Sequence, residues 1–194
     1  MSGPLSAAIV AGATVAVFSQ LSGLWVWAAF IGWASYDQSG ENRRAFVTSS
    51  TCMVFGVIMA WLVALTVAAG ALPGGSVTVS SLAAALASFL IVWVSRYGAL
   101  SNVPATFYGF ASAFAFLLLA PAAFTMEALT SGSLHNVLLC VPVSLLIGSG
   151  LGVVQPRLSQ LLERRSANHP QTGTSAADQP PAAARSRVRA RLAR

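Results

Sequence analysis

Residues 45–72 read AFVTSSTCMVFGVIMAWLVALTVAAGAL and contain no charged side chain, although two arginines stand immediately before them. The same contrast recurs along the first 154 residues, where charged side chains lie only in the gaps between long apolar stretches. They are Asp37, Glu41, Arg43, Arg44, Arg96 and Glu127. A soluble domain needs charged side chains on every exposed face, whereas hydrocarbon penalises each of them by several kcal/mol. The sequence therefore predicts an integral membrane protein.

Six apolar stretches divide this region into candidate membrane segments. They cover residues 5–19, 21–36, 45–72, 77–95, 98–120 and 134–154. The last four can each cross a hydrocarbon core of about 30 Å, but a helix of about 15 residues reaches only about 22 Å. The first two stretches are therefore either one long, broken crossing or two short helices that meet around residues 20–23. The predicted fold is all-α and polytopic, with six membrane segments in a transmembrane domain over residues 1–154.

The arginines predict the orientation. If the last four stretches each cross once, Arg43, Arg44, Arg96 and the eight arginines after residue 154 fall on one side of the membrane. Because cytoplasmic loops are enriched in Lys and Arg, this side and the C-terminus are predicted to be cytoplasmic. The N-terminus joins them there if the first two stretches make two crossings. The chain has 11 arginines and no lysine, a usage typical of GC-rich bacterial genomes, and the predicted location is a bacterial inner membrane.

An internal repeat bears on the number of crossings. Residues 30–35 read FIGWAS and residues 107–112 read FYGFAS, each in the middle segment of one half of the domain. Two units of three segments would run oppositely through the membrane, an arrangement common in channels and transporters. The alternative is a chance match, since the chain is rich in Ala, Gly, Ser and Phe.

The chain changes character after residue 154. Residues 155–165 are predicted to continue the last helix as a juxtamembrane helix, with leucines on one face. Residues 166–194 contain too few large apolar side chains to form a core and are predicted to be disordered. The arginines of this tail are expected to bind anionic lipid headgroups. They are Arg185, Arg187, Arg189, Arg191 and Arg194. Nucleic acid is not an expected partner, because the tail has no aromatic side chain to stack on a base.

Catalytic groups are scarce. The two histidines, His135 and His169, lie at the edge of the last stretch and in the tail, so no Ser/His/Asp set is expected within the membrane. No phosphate-binding loop, dinucleotide motif or metal-ligand spacing is present. Cys52 and Cys140 lie inside apolar stretches and are expected to be buried packing residues. The sequence predicts no enzyme, no cofactor and no metal site.

The two hexapeptides supply the candidate site. Their aromatic residues are predicted to form a constriction, and neighbouring small or polar residues are predicted to line it. The constriction residues are Phe30, Trp33, Phe107 and Phe110, and the lining residues are Gly32, Ser35, Asn102, Thr106, Gly109 and Ser112. A path with few polar partners suits a small, mostly neutral solute, because a bare ion needs carbonyl cages or charged rings. The alternative interpretation is that these residues, and small residues such as Gly56 and Gly148, only pack helices together.

These features of the sequence are compatible with two main functions. The favoured one is a channel or facilitative transporter for a small, mostly neutral solute. The other is a non-transporting accessory or scaffold protein whose Gly/Ala faces bind another membrane protein, and such faces could also join copies of the chain into a homo-oligomer. A proton-coupled pump ranks third, because no carboxylate is predicted deep in the membrane.

The sequence also resembles a known family. Residues 24–35 (LWVWAAFIGWAS), a small-residue helix ending near Trp61 and residues 103–109 (VPATFYG) resemble the small bacterial inner-membrane proteins called domain of unknown function 1097. The resemblance covers about residues 21–154. It implies a membrane location but no activity, and the long Arg-rich tail departs from the family pattern.

Overall fold

The computed structural model describes residues 2–70 and 76–167. Within these ranges the chain forms seven α-helices and one short 3-10 helix, without a β-strand, which confirms the all-α prediction. The α-helices are α1 (Ser2–Phe18), α2 (Val26–Gln38), α3 (Arg43–Ala68), α4 (Ser76–Val94), α5 (Val103–Leu119), α6 (Met126–Thr130) and α7 (Val137–Ala167). The 3-10 helix spans Gly98–Leu100.

Side-chain caps account for several of the helix starts. The Asn42 side chain accepts a hydrogen bond of 2.9 Å from the Ala45 backbone N–H at the start of α3. Asn102 caps α5 in the same way, at 3.1 Å from the Ala105 N–H. Such caps satisfy backbone donors that have no partner within the helix. The cap at Asn102 splits the predicted segment 98–120, which forms the 3-10 helix and then α5 instead of one continuous helix.

Only some helices match the thickness of a membrane. Arg43–Ala68, Val77–Val94 and Val137–Ser166 are long and apolar enough to cross one. Helices α1 and α5 have 17 residues each and α2 has 13, so at 1.5 Å per residue they reach about 25 Å and about 20 Å. By length and composition, the described residues therefore contain three candidate membrane spans and two shorter apolar helices, α1 and α5.

Contacts with α7 give the directions of the first two helices. The Gln155 side chain donates to the Ser6 hydroxyl at 2.9 Å, and the Ser2 hydroxyl bonds Glu163, so the start of α1 lies beside the end of α7. In contrast, α2 starts beside the first half of α7, where the Trp25 N–H donates to the Ser144 hydroxyl at 3.1 Å. Helix α1 therefore runs antiparallel to α7 and α2 runs parallel to it. Of the two interpretations of residues 5–36, the structure has two helices of opposite direction, joined through a turn at Gly23 with φ +88°.

Helices α2, α3, α5 and α7 form the core. The most extensive contacts join α2 to α7 and α3 to α5. Helix α1 packs on α7, and α4 packs on α3. These contacts are symmetric. If α1 is exchanged with α4, α2 with α5 and α3 with α7, the same pairs of helices are in contact: the α2–α7 contact becomes the α5–α3 contact, and the α1–α7 contact becomes the α4–α3 contact. Helix α4 is peripheral. Only 17% of its apolar stretch is buried inside the protein, compared with 44% for α3 and 50% for α7.

Glycines permit the two extensive contacts. A methyl group at Gly32 of α2 would overlap the Leu145 carbonyl oxygen of α7, and one at Gly148 would overlap that of Ala29. Helices α3 and α5 repeat the arrangement through Gly56 and Gly109. A methyl group there would overlap the carbonyl oxygens of Thr106 and Met53, respectively. Each extensive contact is therefore a close backbone approach of the kind that small residues allow.

Helix α7 continues without interruption to Ala167, so residues 155–165 are helical. The arginines predicted to bind headgroups, residues 185 to 194, lie outside the described residues. Their interaction with lipid stays a prediction.

Candidate functional site

Two cavities lie at opposite ends of the four-helix core. The first, here called the His135 cavity, has a volume of about 840 Å³. Its walls are the start of α2, the end of α5, α6 and the residues that lead into α7. Polar side chains at this end include Thr125, Glu127, Ser133 and His135.

The second, here called the Asn102 cavity, has a volume of about 420 Å³. Its walls are the end of α2, the start of α3, the 3-10 helix and the start of α5. The same exchange of helices relates the two cavities. The start of α2 in the first cavity corresponds to the start of α5 in the second, and the end of α5 corresponds to the end of α2. The start of α7 corresponds to the start of α3. Helices α2 and α5 are antiparallel, which puts the cavities at opposite ends of the core.

One contact between α2 and α5 lies at each cavity. At the Asn102 cavity, the Asn102 side-chain amide donates to the Ser39 hydroxyl at 2.8 Å. At the His135 cavity, the rings of Trp25 and Phe116 meet edge to face, with centroids 5.7 Å apart. Aligning Gly32 with Gly109 places Trp25 opposite Asn102 and Ser39 opposite Phe116. Equivalent positions thus form a polar contact at one end and an aromatic contact at the other.

Between the cavities the core is closed by small side chains. Ala28 and Ser35 of α2 and Ser112 and Ala113 of α5 are each at most 1% exposed. The Ser35 hydroxyl lies 2.7 Å from that of Ser49, and the two share a hydrogen bond. Ser112, at the position equivalent to Ser35, has a buried hydroxyl with no hydrogen-bond partner among the described residues. The middle of the core is therefore weakly polar, and all charged residues in the described ranges are exposed.

The predicted constriction residues form two separate pairs. Phe30 and Trp33 stack with centroids 6.4 Å apart, and Phe107 and Phe110 meet edge to face at 6.4 Å. The second pair packs against the cluster that α3 and α4 form around Met59. Within residues 2–70 and 76–167, no ring contact joins one pair to the other. A constriction formed by all four rings stays a prediction.

The predicted lining residues divide between packing and polar roles. Gly32 and Gly109 lie at the close helix approaches, as described above. Thr106 donates to the Asn102 carbonyl at 3.2 Å, within its own helix. Asn102, Ser35 and Ser112 remain at or between the cavities.

The sequence interpretation missed Trp25, Ser39 and Phe116. Extending the alignment of the two hexapeptides in both directions would have paired Trp25 with Asn102 and Ser39 with Phe116. It would not have revealed that they touch, because each contact joins residues that are far apart in the sequence.

The cysteines are free and buried on different helices. The Cys140 thiol donates to the Gly23 carbonyl at 2.7 Å, and the Cys52 thiol lies 3.7 Å from the Ala99 carbonyl. In the part of the chain that the structure describes, no three His, Cys, Asp or Glu side chains are grouped to hold a metal ion.

A family model described as protein of unknown function (DUF1097) matches residues 4–160. The chain belongs to this family. The match includes all the helices from α2 to α6, most of α1 and α7, and both cavities. Neither a search of curated proteins nor a search of solved structures returned a match.

Proposed function

We propose that this DUF1097 protein is a facilitative conduit for a small, mostly neutral solute across a bacterial inner membrane. The observation that carries the proposal is the pair of cavities at opposite ends of one four-helix core, each beside a contact between α2 and α5. A conduit that opens one end at a time needs such a cavity and such a contact on each side.

The membrane topology is part of the proposal. Six crossings in two inverted units of three would put both termini on the cytoplasmic, arginine-rich side. The contact of Ser2 with Glu163 supports a shared side for the start of α1 and the end of α7. The exchange of helix contacts and the matched glycine approaches support the relation between the units. The short helices α1, α2 and α5 would then sit with their ends near the headgroups or under the loops.

The core favours a neutral solute. A permeating ion must exchange its water for carbonyl cages or charged groups, whereas the buried polar groups between the cavities are hydroxyls such as those of Ser35 and Ser112. The unpartnered Ser112 hydroxyl could bond a solute that passes between the cavities. In this closed conformation the Trp25–Phe116 and Asn102–Ser39 contacts act as the two gates.

The proposal is tested with full-length protein in liposomes. Stopped-flow light scattering measures swelling in gradients of small neutral solutes, weak acids and salts. We expect faster swelling than in protein-free liposomes for at least one small neutral solute, and no protein-dependent current in planar bilayers. If no solute permeates faster, the conduit proposal is wrong and the accessory or scaffold role is favoured.

A variant that can be cross-linked at the Asn102–Ser39 contact distinguishes solute flow through the core from leakage around the protein. Cysteines replace Ser39 and Asn102 in a chain whose Cys52 and Cys140 are replaced by alanine. Mercuric ion, which bridges two nearby thiolates, should abolish the protein-dependent swelling, and excess dithiol should restore it. The single Ser39→Cys chain is the control and should keep its swelling rate. Equal swelling with and without the bridge would place the path elsewhere.

A further inference from the structure

A third cavity lies at the arginine-rich end of the molecule and shares the lining residue Asn42 with the Asn102 cavity. This cavity, here called the Arg157 cavity, has a volume of about 790 Å³ and lies between the end of α2, the start of α3 and the second half of α7. Arg43 and Arg157 both line it. Within residues 2–70 and 76–167, neither guanidinium group takes part in a hydrogen bond or an ion pair. Two free cationic donors therefore border one cavity.

The walls of the Arg157 cavity combine these donors with apolar surface. Tyr36 and Phe46 form one side, with ring centroids 6.2 Å apart, and Val153 and Pro156 of α7 lie opposite. The remaining lining residues are Glu41, Asn42, Gly150 and Gln160. The two arginines and Glu41 sum to one positive charge.

In the other half of the molecule, helix α6 occupies the position that corresponds to the Arg157 cavity. Aligning Gly56 with Gly148 places Trp61 and Leu65 of α3 opposite Val153 and Arg157 of α7. Helix α6 packs there: Leu129 is fully buried, and the Trp61 indole donates to its carbonyl at 2.9 Å. Among residues 2–70 and 76–167 no such helix lies beside the two arginines, and the cavity between α2, α3 and α7 is open.

We propose that the Arg157 cavity binds the headgroup of a monoanionic glycerophospholipid of the phosphatidylglycerol class. Arg43 and Arg157 donate to the phosphate, as guanidinium groups do in charge-assisted pairs. One acyl chain lies along Phe46 and Val153. The single net positive charge complements one phosphate, and basic pockets between membrane helices on the cytoplasmic side are suited to anionic lipid. This inference does not depend on whether the protein transports a solute.

Native mass spectrometry of the full-length protein tests the proposal by titration with lipids of identical acyl chains. The headgroups are phosphatidylglycerol, phosphatidylethanolamine and phosphatidylcholine. We expect the first to bind tightest, and the Arg43→Gln and Arg157→Gln variants each to weaken it by about tenfold, in keeping with the loss of one hydrogen bond to a charged group. Glu41→Gln should tighten it, because it removes the opposing carboxylate.

Arg44→Gln is the matched control, because Arg44 is the next residue, is equally exposed and lines the Asn102 cavity instead. Its phosphatidylglycerol affinity should stay within about twofold of the unmodified chain. All variants keep the tail arginines, so binding by the tail is common to them. A thermal melt verifies folding, and Arg157→Lys, which keeps the charge but cannot donate as a fork, should fall between the unmodified chain and Arg157→Gln.

Three results would overturn the proposal. One is unchanged phosphatidylglycerol affinity in the Arg43→Gln/Arg157→Gln double variant. Another is equal or tighter binding of phosphatidylethanolamine or phosphatidylcholine. The third is displacement of the lipid by millimolar glycerol phosphate, which would identify a soluble anion as the occupant.

Discussion

At the scale of single residues, four glycines set how closely the core helices approach. The groups that oppose them are backbone carbonyls, which cannot turn aside as a flexible side chain can. An added methyl group therefore has to push two helices apart.

Gly109→Ala tests this requirement. Overpacking of this kind costs about 1–3 kcal/mol, and we expect the free energy of unfolding in detergent to fall by that amount. Gly12→Ala in α1 is the matched control, because a methyl group there meets no atom within 4 Å. It should be neutral or raise stability by up to about 1 kcal/mol through helix propensity. Equal thermal midpoints for the two variants would show that the close approach at Gly109 is not required.

Ser39 tests the polar gate at the same scale. Ser39→Ala removes the acceptor of the Asn102 amide but leaves the cap of α5 intact. A lost hydrogen bond of about 1 kcal/mol shifts a closed-to-open equilibrium about fivefold, so we expect solute flux to rise by up to that factor. Ser101→Ala is the control, because its hydroxyl donates only to the Gly98 carbonyl in its own turn, at 3.1 Å. A flux that falls, or rises equally in both, would argue against a gate at Ser39.

At the scale of elements, α6 shows how a short helix of five residues is held in place. Its Leu129 is fully buried, and its carbonyl accepts from both the Trp61 indole and the Asn136 amide, at 2.9 and 3.0 Å. A helix this short is not stable by itself, so these tertiary contacts supply its stability.

Trp61→Phe should therefore loosen α6. A smaller aromatic ring remains, but the donor to Leu129 is lost, and we expect a loss of at least about 1 kcal/mol in stability and faster hydrogen exchange over residues 126–130. Trp27→Phe is the matched control, since the buried Trp27 N–H has no partner and its removal leaves no acceptor unsatisfied. That variant loses the same ring volume without losing a hydrogen bond, so it should leave hydrogen exchange over residues 126–130 unchanged. Unchanged exchange at α6 in Trp61→Phe would mean that apolar packing alone holds the helix.

At the scale of the whole molecule, the start of α1 and the end of α7 lie at the same end of the fold, and α6 lies at the other. The proposed topology follows if that first end is cytoplasmic. Single cysteines at Ser2, Ser166 and Thr130 test it in a chain without Cys52 and Cys140.

A membrane-impermeant maleimide is applied to spheroplasts before and after lysis. We expect Thr130→Cys to react in intact spheroplasts, and Ser2→Cys and Ser166→Cys only after lysis. Opposite behaviour of Ser2→Cys and Ser166→Cys would contradict the six-crossing topology.

The sequence by itself determined the class of protein and the approximate position of its helices. Residues 45–72 and 134–154 are apolar over more than one membrane thickness, and the charges between such stretches mark where helices end, because the cost of placing a charge in hydrocarbon does not depend on neighbouring helices. The caps at Asn42 and Asn102 act within a few residues, but the sequence interpretation did not identify them, and its segment 98–120 ran through Asn102. The hexapeptides at 30–35 and 107–112 contain the glycines at 32 and 109, which lie at the close helix approaches, whereas the inverted repeat that they suggested stays a prediction.

Only the tertiary structure decided which helix faces meet. In a membrane chain the surfaces that face lipid and the surfaces that face other helices are both apolar, so the hydrophobic pattern does not separate them. The contact of Phe107 and Phe110 with α3 and α4, for example, could not be read from the sequence. Residues distant in the sequence form the Trp25–Phe116 contact, the Asn102–Ser39 contact and the three cavities. Their positions depend on the orientation of whole helices, which the close approaches at four glycines set.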